Sequence, residues 1–168
     1  MNHLSASFCL FGATQLLLAL SAPHMAAQSE PVSIRPTFFC GLESGTPTTM
    51  VRTAAGDNEF IRWTSVHFSS SGWTPEQRCK VVSERLQSSS DRGNLKFLTT
   101  GRMKDQPVIC SANTEGGRCL DLLYTLKPGQ DPVQALRGLV STRQGLSGPV
   151  SETSTRIYLS VSKLIGNP

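Results

Sequence analysis

Four cysteines constrain this chain more than any other feature. They are Cys40, Cys79, Cys110 and Cys119, and a fifth, Cys9, lies in an apolar run near the start. What they do depends on the compartment, because disulfides persist only in oxidising spaces. From Phe8 to Leu20 the sequence is almost wholly apolar. Small residues and a proline follow, Ser21-Ala22-Pro23 and then Ala26-Ala27, and no Asp, Glu, Lys or Arg appears before Glu30. The run is shorter than the roughly 20 residues needed to cross a bilayer. This pattern predicts a signal peptide over residues 1–27, cut near Ala26 or Ala27, although Met1-Asn2-His3 lacks the usual cations. Cleavage removes Cys9 and leaves an even set of four in an exported chain with no transmembrane span.

Four cysteines allow three connectivities. The turn-rich stretch from Ser111 to Arg118 favours closing Cys110 onto Cys119, which leaves Cys40 and Cys79 to tie an early strand to a helix. A zinc site is the competing reading, but it needs close pairs such as C-x₂-C, and no pair is closer than Cys110 and Cys119. Free buried thiols are the other alternative. No metal and no cofactor is expected.

The helix that Cys79 would pin opens at Trp73-Thr74-Pro75-Glu76-Gln77-Arg78. Thr74 is a good N-cap, Pro75 suits the first helical position, and Gln77 falls three residues after the cap. Cys79, Val82 and Leu86 form its apolar stripe, so it is expected to run to about Leu86 and exit by Gly93. Trp73 and Arg78 stand where a hydrophobic staple usually joins, and the indole is expected to stack on the guanidinium. Asp131-Pro132-Val133-Gln134 repeats the same start signal for a second helix, with Val133, Leu136, Leu139 and Val140 inward.

Between these lie short β-favouring runs: 37–40, 48–53, 59–65, 94–100, 107–110, 119–126 and 155–162. Ile61 and Trp63 are expected on one face of the third, with Phe60 and Arg62 on the other. The sixth is the most apolar. Leu120, Leu122, Tyr124 and Leu126 share one face and Leu123 lies opposite, which predicts a central strand. The order βββ-α-βββ-α-β predicts a single α+β domain over residues 37–164, an antiparallel sheet with two helices packed on one face, after a flexible lead-in at 28–36. At 168 residues, 38% hydrophobic, 17% charged and a net charge of +4, the chain suits one folded body. Its cations are interspersed with acids and form no basic stripe, so no nucleic acid is expected as a partner.

Several stretches taken together resemble a known family: Phe39-Cys40, Phe60-Ile61-Arg62-Trp63, Trp73 through Cys79, Gly93 through Thr99, Pro107-Val108-Ile109-Cys110, Cys119 through Leu126, and Asp131-Pro132. The chain is similar to the circadian oscillating protein family of cyanobacteria, small exported proteins bearing this four-cysteine domain. The resemblance spans roughly Thr37 to Leu139. It implies a protein of the periplasm, the thylakoid lumen or the outside medium, often peripheral to membrane, with rhythmic expression in some members. It brings no catalytic motif.

After the leader, His67 is the only histidine. Any Ser–His or Cys–His system would have to use it, and no G-x-S-x-G elbow, P-loop or EF-hand loop is present. A loop histidine is better suited to a pH-sensitive contact. Asp121, inside an apolar strand, is expected in a structural ion pair with an arginine. These observations point to a non-enzymatic, monomeric binding or interaction protein. Its candidate surface is Trp73, Arg78 and His67, and its partner is an envelope protein or an anionic lipid surface. Two alternatives are an exported hydrolase or isomerase built on His67, and a secreted inhibitor presenting the loop 113–118 with Arg118.

Overall fold

Tight turns between β-favouring runs build the first half of the molecule. The computed structural model describes residues 35–140 and 156–166. The expected signal peptide and most of the lead-in lie outside these residues, as does the stretch 141–155. Strands β1 (Thr37–Glu43), β2 (Thr46–Thr53) and β3 (Gly56–Arg62) form an antiparallel meander. Ser44 and Gly45 both take left-handed φ angles, 49° and 76°, which is the turn geometry that matches the twist of a hairpin. The break expected through Pro47 is therefore shorter. Pro47 pairs with Leu42, and its carbonyl accepts from the Trp63 N–H at 2.9 Å.

The alternation expected in β3 does not survive. Phe60, Ile61 and Trp63 are all buried. Thr49 pairs with Ile61 and Met50 with Glu59, so Phe60 is an extra, unpaired residue, and a bulge turns two consecutive side chains inward. The Phe60 ring meets Phe38 edge-on at 5.2 Å.

Helix α1 (Pro75–Asp91) follows. The Thr74 hydroxyl accepts from the Gln77 N–H at 3.2 Å, the expected cap. The helix runs past Leu86, because Ser88-Ser89-Ser90 continue it and Gly93, at φ 72°, supplies the exit. Tertiary bonding explains the extension: Ser89 is fully buried and donates to an Asp121 oxygen at 2.9 Å.

A second antiparallel sheet takes β4 (Phe97–Met103), β5 (Gln106–Ala112), β6 (Leu122–Thr125) and β7 (Tyr158–Ser160) in the order β6-β5-β4-β7. The α+β class stands, with the strands shared between two sheets because α1 interrupts the chain between them. Strand β6 lies at an edge, not in the centre as expected. Its inward residue is Leu123, 2% exposed, while Leu122 and Tyr124 are half-buried. Ile109 pairs with Tyr124 and Cys110 with Leu122, so Leu123 is again a bulge residue. The last strand also ends early: Val161 begins a short helical turn, α3 (Val161–Leu164).

Helix α2 (Pro132–Val140) starts where Asp131 accepts from the Gln134 N–H at 2.7 Å. It packs on β3, β4 and β5, while α1 packs on β1, β2 and β6, so each helix touches both sheets. One core results, in which Val82 and Leu86 meet residues such as Phe38, Leu98, Leu123 and Leu136. Two disulfides tie it down. Cys40–Cys79 links the outer strand β1 to α1, and Cys110–Cys119 closes the β5–β6 connection, each with Cα atoms 5.5 Å apart.

Candidate binding groove

Arg78 is the unusual residue of this fold. It sits at the fourth position of α1, one residue before the disulfide, and is 4% exposed. The sequence suggested a surface arginine beneath Trp73. Instead its guanidinium lies over the Trp63 ring, 5.3 Å from the centroid, and Trp73 stands apart. The helix geometry accounts for this. Arg78 and Val82 share the inward face of α1 one turn apart, whereas Trp73 precedes the cap and follows the loop.

That loop is built on itself. Phe68 opens a 3₁₀ turn over Ser69–Ser71, and Gly72 closes it at φ 80°. The Trp73 N–H then returns to the Phe68 carbonyl at 3.1 Å, which sets Phe68 and Trp73 side by side. Trp73 remains 43% exposed, a large ring left open to solvent.

Ser65, just after β3, holds two cations together. Its carbonyl accepts from Arg78 Nη2, and its hydroxyl accepts from Lys127 Nζ at 3.1 Å. Lys127 also lies over the Phe68 ring at 5.9 Å. Underneath, the Trp63 indole N–H donates to the Thr49 hydroxyl at 3.0 Å, and Ser83 donates to the same oxygen at 3.0 Å. Trp63 also meets Tyr124 edge-on at 5.4 Å. The floor under Arg78 is thus fixed by packing and by satisfied hydrogen bonds.

Two adjoining cavities share Arg78 and Tyr124 as a common wall. One, of about 270 Å³, is bounded by Phe68, Trp73, Val81, Val82 and Arg85. The other, of about 320 Å³, runs past Trp63, Ser65 and Lys127 to the start of α2 at Asp131 and Gln134. Their lining holds four cations, Arg62, Arg78, Arg85 and Lys127, against one carboxylate, Asp131. Arg62 is paired with Glu59 at 3.6 Å, and Arg85 donates to the Leu123 carbonyl at 3.2 Å. Asp131 is engaged in capping α2.

Arg78 has no carboxylate within ion-pairing distance among the described residues. Its Nε is sealed from solvent without a hydrogen-bond partner among them. Exposed Glu76, two residues earlier, feels its charge. That carboxyl is held below its ordinary value by its own backbone N–H and by the Thr74 hydroxyl, with the Arg78 charge a smaller pull.

His67 is exposed, and its ring meets Phe68 edge-on at 5.0 Å. Among the described residues its imidazole makes no hydrogen bond to a serine or a carboxylate, and it lines neither cavity. Of the three residues singled out by sequence, Trp73 and Arg78 share one cavity and His67 stands outside it. Asp121 does sit in an ion pair, with Arg92 at 3.0 Å. Phe68, Ser65, Tyr124 and Lys127 carry no sequence signal for this site. Lys127 reads only as the start of a Pro-Gly turn, and it lies 62 residues from the serine it touches. Among the described residues no group of three or more His, Cys, Asp or Glu could hold a metal, and no helix is long and apolar enough to cross a membrane.

The model of the family described as circadian oscillating protein COP23 matches residues 37–166. The chain belongs to that family. The match covers both sheets, both disulfides and every residue of the groove, so the groove is part of the COP23-family domain. Neither a curated protein nor a solved structure matches the chain.

Proposed function

We propose that this COP23-family protein is an exported, non-enzymatic binding module of the cell envelope or thylakoid lumen of a cyanobacterium, peripheral to membrane. It engages its partner through the groove at Trp73 and Arg78 and acts as a monomer. The observation that carries the reading is the groove: an open aromatic wall beside a buried cation that no carboxylate in the described chain offsets. Clustered aromatic and arginine side chains around a concave, apolar patch are how binding sites concentrate affinity. The two disulfides support an oxidising compartment, since such bridges are rare in reducing ones.

The test is fractionation of envelopes carrying the wild-type protein and Trp73→Ala. Trp73 is 43% exposed and stands outside the hydrophobic core, so its loss is expected to leave the fold intact. The wild-type protein is expected in the envelope fraction at low salt and free at high salt, because exposed charge contacts are screened. Trp73→Ala is expected in the soluble fraction at both. Wild-type protein absent from envelopes at low salt, or a Trp73→Ala variant retained like wild type, contradicts the reading.

A further inference from the structure

We infer that the groove seats a small organic carboxylate with an apolar, preferably aromatic body, its carboxylate against Arg78 and its body between Phe68 and Trp73. This deepens the reading of the groove as a binding site and rests on it.

Three observations specify the class. First, Arg78 is only 4% exposed, borders both cavities, and of its side-chain nitrogens only Nη2 has a hydrogen-bond partner among the described residues. A buried charge is stable when it is paired, and a planar guanidinium matches a carboxylate better than it matches any neutral group. The stack on Trp63 and the Ser65 carbonyl hold that plane in place but supply no counter-charge.

Second, the walls of the Trp73 cavity are mostly apolar. Phe68, Trp73, Val81, Val82 and Tyr124 line it together with Thr125, with Arg78 and Arg85 as its cations. A strongly hydrated ion such as inorganic phosphate gains nothing from such walls, whereas a carboxylate on a hydrophobic body uses both parts. Third, a volume of about 270 Å³ falls just under the usual range of ligand sites, roughly 300 to 1,000 Å³. It suits a ligand the size of one aromatic ring with a short acid chain. Lys127, tethered to Ser65, lines the adjoining cavity and adds a further positive charge to the groove.

The two tryptophans make the test direct. Trp63 lies under the Arg78 guanidinium and Trp73 forms the cavity wall, and the chain has no others. Intrinsic fluorescence therefore reads occupancy without a label. The full chain, expressed for export and purified without reductant, is titrated with 3-phenylpropanoate, with 3-phenylpropanamide, with inorganic phosphate and with phosphatidylglycerol vesicles.

A saturable fluorescence change with the carboxylate is expected. The amide is expected to bind roughly tenfold or more weakly, the usual difference between a charged and a neutral acceptor at an arginine. Phosphate is expected to show no saturation. Arg78→Lys keeps the charge but loses the fork, and should weaken the carboxylate roughly tenfold. If that variant does not fold, Trp73→Ala serves in its place, with Trp63 as reporter and a similar loss expected.

Equal binding of acid and amide overturns the anion assignment and leaves the groove standing. A response to vesicles alone replaces the small ligand with a lipid surface. No response to any probe overturns the proposal. In that case envelope fractionation of Trp73→Ala decides the wider reading: lost association keeps the groove, and unchanged association removes both.

Discussion

Gly101→Ala tests how the second disulfide is packed. Gly101 lies in β4 opposite Val108, with a φ that any residue can adopt, so only space forbids a side chain there. A Cβ at this position would come within 2.3 Å of Cys119 Sγ and 3.5 Å of Cys110 Sγ. Non-bonded heavy atoms settle near 3.5–4.0 Å, so the overlap with Cys119 exceeds about 1 Å. The sulfur cannot swing aside freely. It is bonded to Cys110, and Arg156 stands behind it, with Nη2 at 3.6 Å from Cys119 Sγ and Nε donating to the Thr100 carbonyl at 2.6 Å. Overpacking of this kind costs about 1–3 kcal/mol. At one to two hundred residues each kcal/mol moves Tm by roughly 3–5 °C. The assay is a double-mutant cycle by urea and thermal unfolding without reductant, using wild type, Gly101→Ala, Cys110→Ala/Cys119→Ala, and the combination. With both sulfurs gone, the overlap is gone, and alanine should be neutral or stabilise by up to about 1 kcal/mol through the unfolded chain. The cost therefore vanishes or changes sign when the sulfurs are removed, with a coupling of about 1–4 kcal/mol. An equal cost in both backgrounds refutes the packing of the disulfide against Gly101.

Other perturbations follow from the same structure. Asp121 is penalised first by burial, but hydrogen bonds from Ser89, Arg92 and Asn94 together outweigh that penalty and hold its carboxyl below the usual range. Its folded value lies below its unfolded value, so its contribution is present above about pH 4 and is lost as the pH falls through the folded value. Asp121→Asn should cost about 1–3 kcal/mol at neutral pH, with the gap to wild type closing in acid when urea unfolding is followed against pH. A gap that does not narrow sinks this assignment. Thr74→Ala removes the cap of α1 and should cost about 0.5–2 kcal/mol in the same assay, with Thr74→Ser close to wild type. Lys104 and Asp105 turn β4 into β5 with left-handed φ angles of 49° and 60°. Replacing them with Asn-Gly should stabilise the hairpin by about 1 kcal/mol, and an unchanged Tm would contradict that turn geometry. Loop entropy assigns about 3.9 kcal/mol to the Cys40–Cys79 bridge, with separation 39, and about 2.6 kcal/mol to Cys110–Cys119, with separation 9. Removing each pair in turn should therefore lower Tm more for the first.

Local chemistry was the readable part of this fold. Thr74-Pro75 and Asp131-Pro132 announce their helices because a cap depends on three or four adjacent residues. The short turns between strands are legible for the same reason. Alternation failed at Phe60 and at Leu123 because each is a bulge, and a bulge is set by the pairing register of a partner strand distant in sequence. The edge position of β6 was hidden behind the same misread face. The last turn of α1 was hidden because Ser89 is held by Asp121, 32 residues away. In the groove, Arg78 and Trp73 could be singled out from their places at the start of a helix. Arg78 was assigned to the wrong tryptophan because its partner, Trp63, is supplied by another element. Ser65 and Lys127 have no local pattern at all and become a pair only once the two sheets come together.

The most direct test of the binding groove is an amide and arginine-Nε nitrogen–proton NMR spectrum of the oxidised full chain, recorded with and without 3-phenylpropanoate. The Arg78 Nε–H signal is assigned by its loss in Arg78→Lys. The groove predicts a shift of that signal together with the amides of Phe68, Trp73, Arg78 and Tyr124, saturating along one binding curve. Shifts clustered elsewhere on the molecule, with the Arg78 signal unmoved, would contradict it.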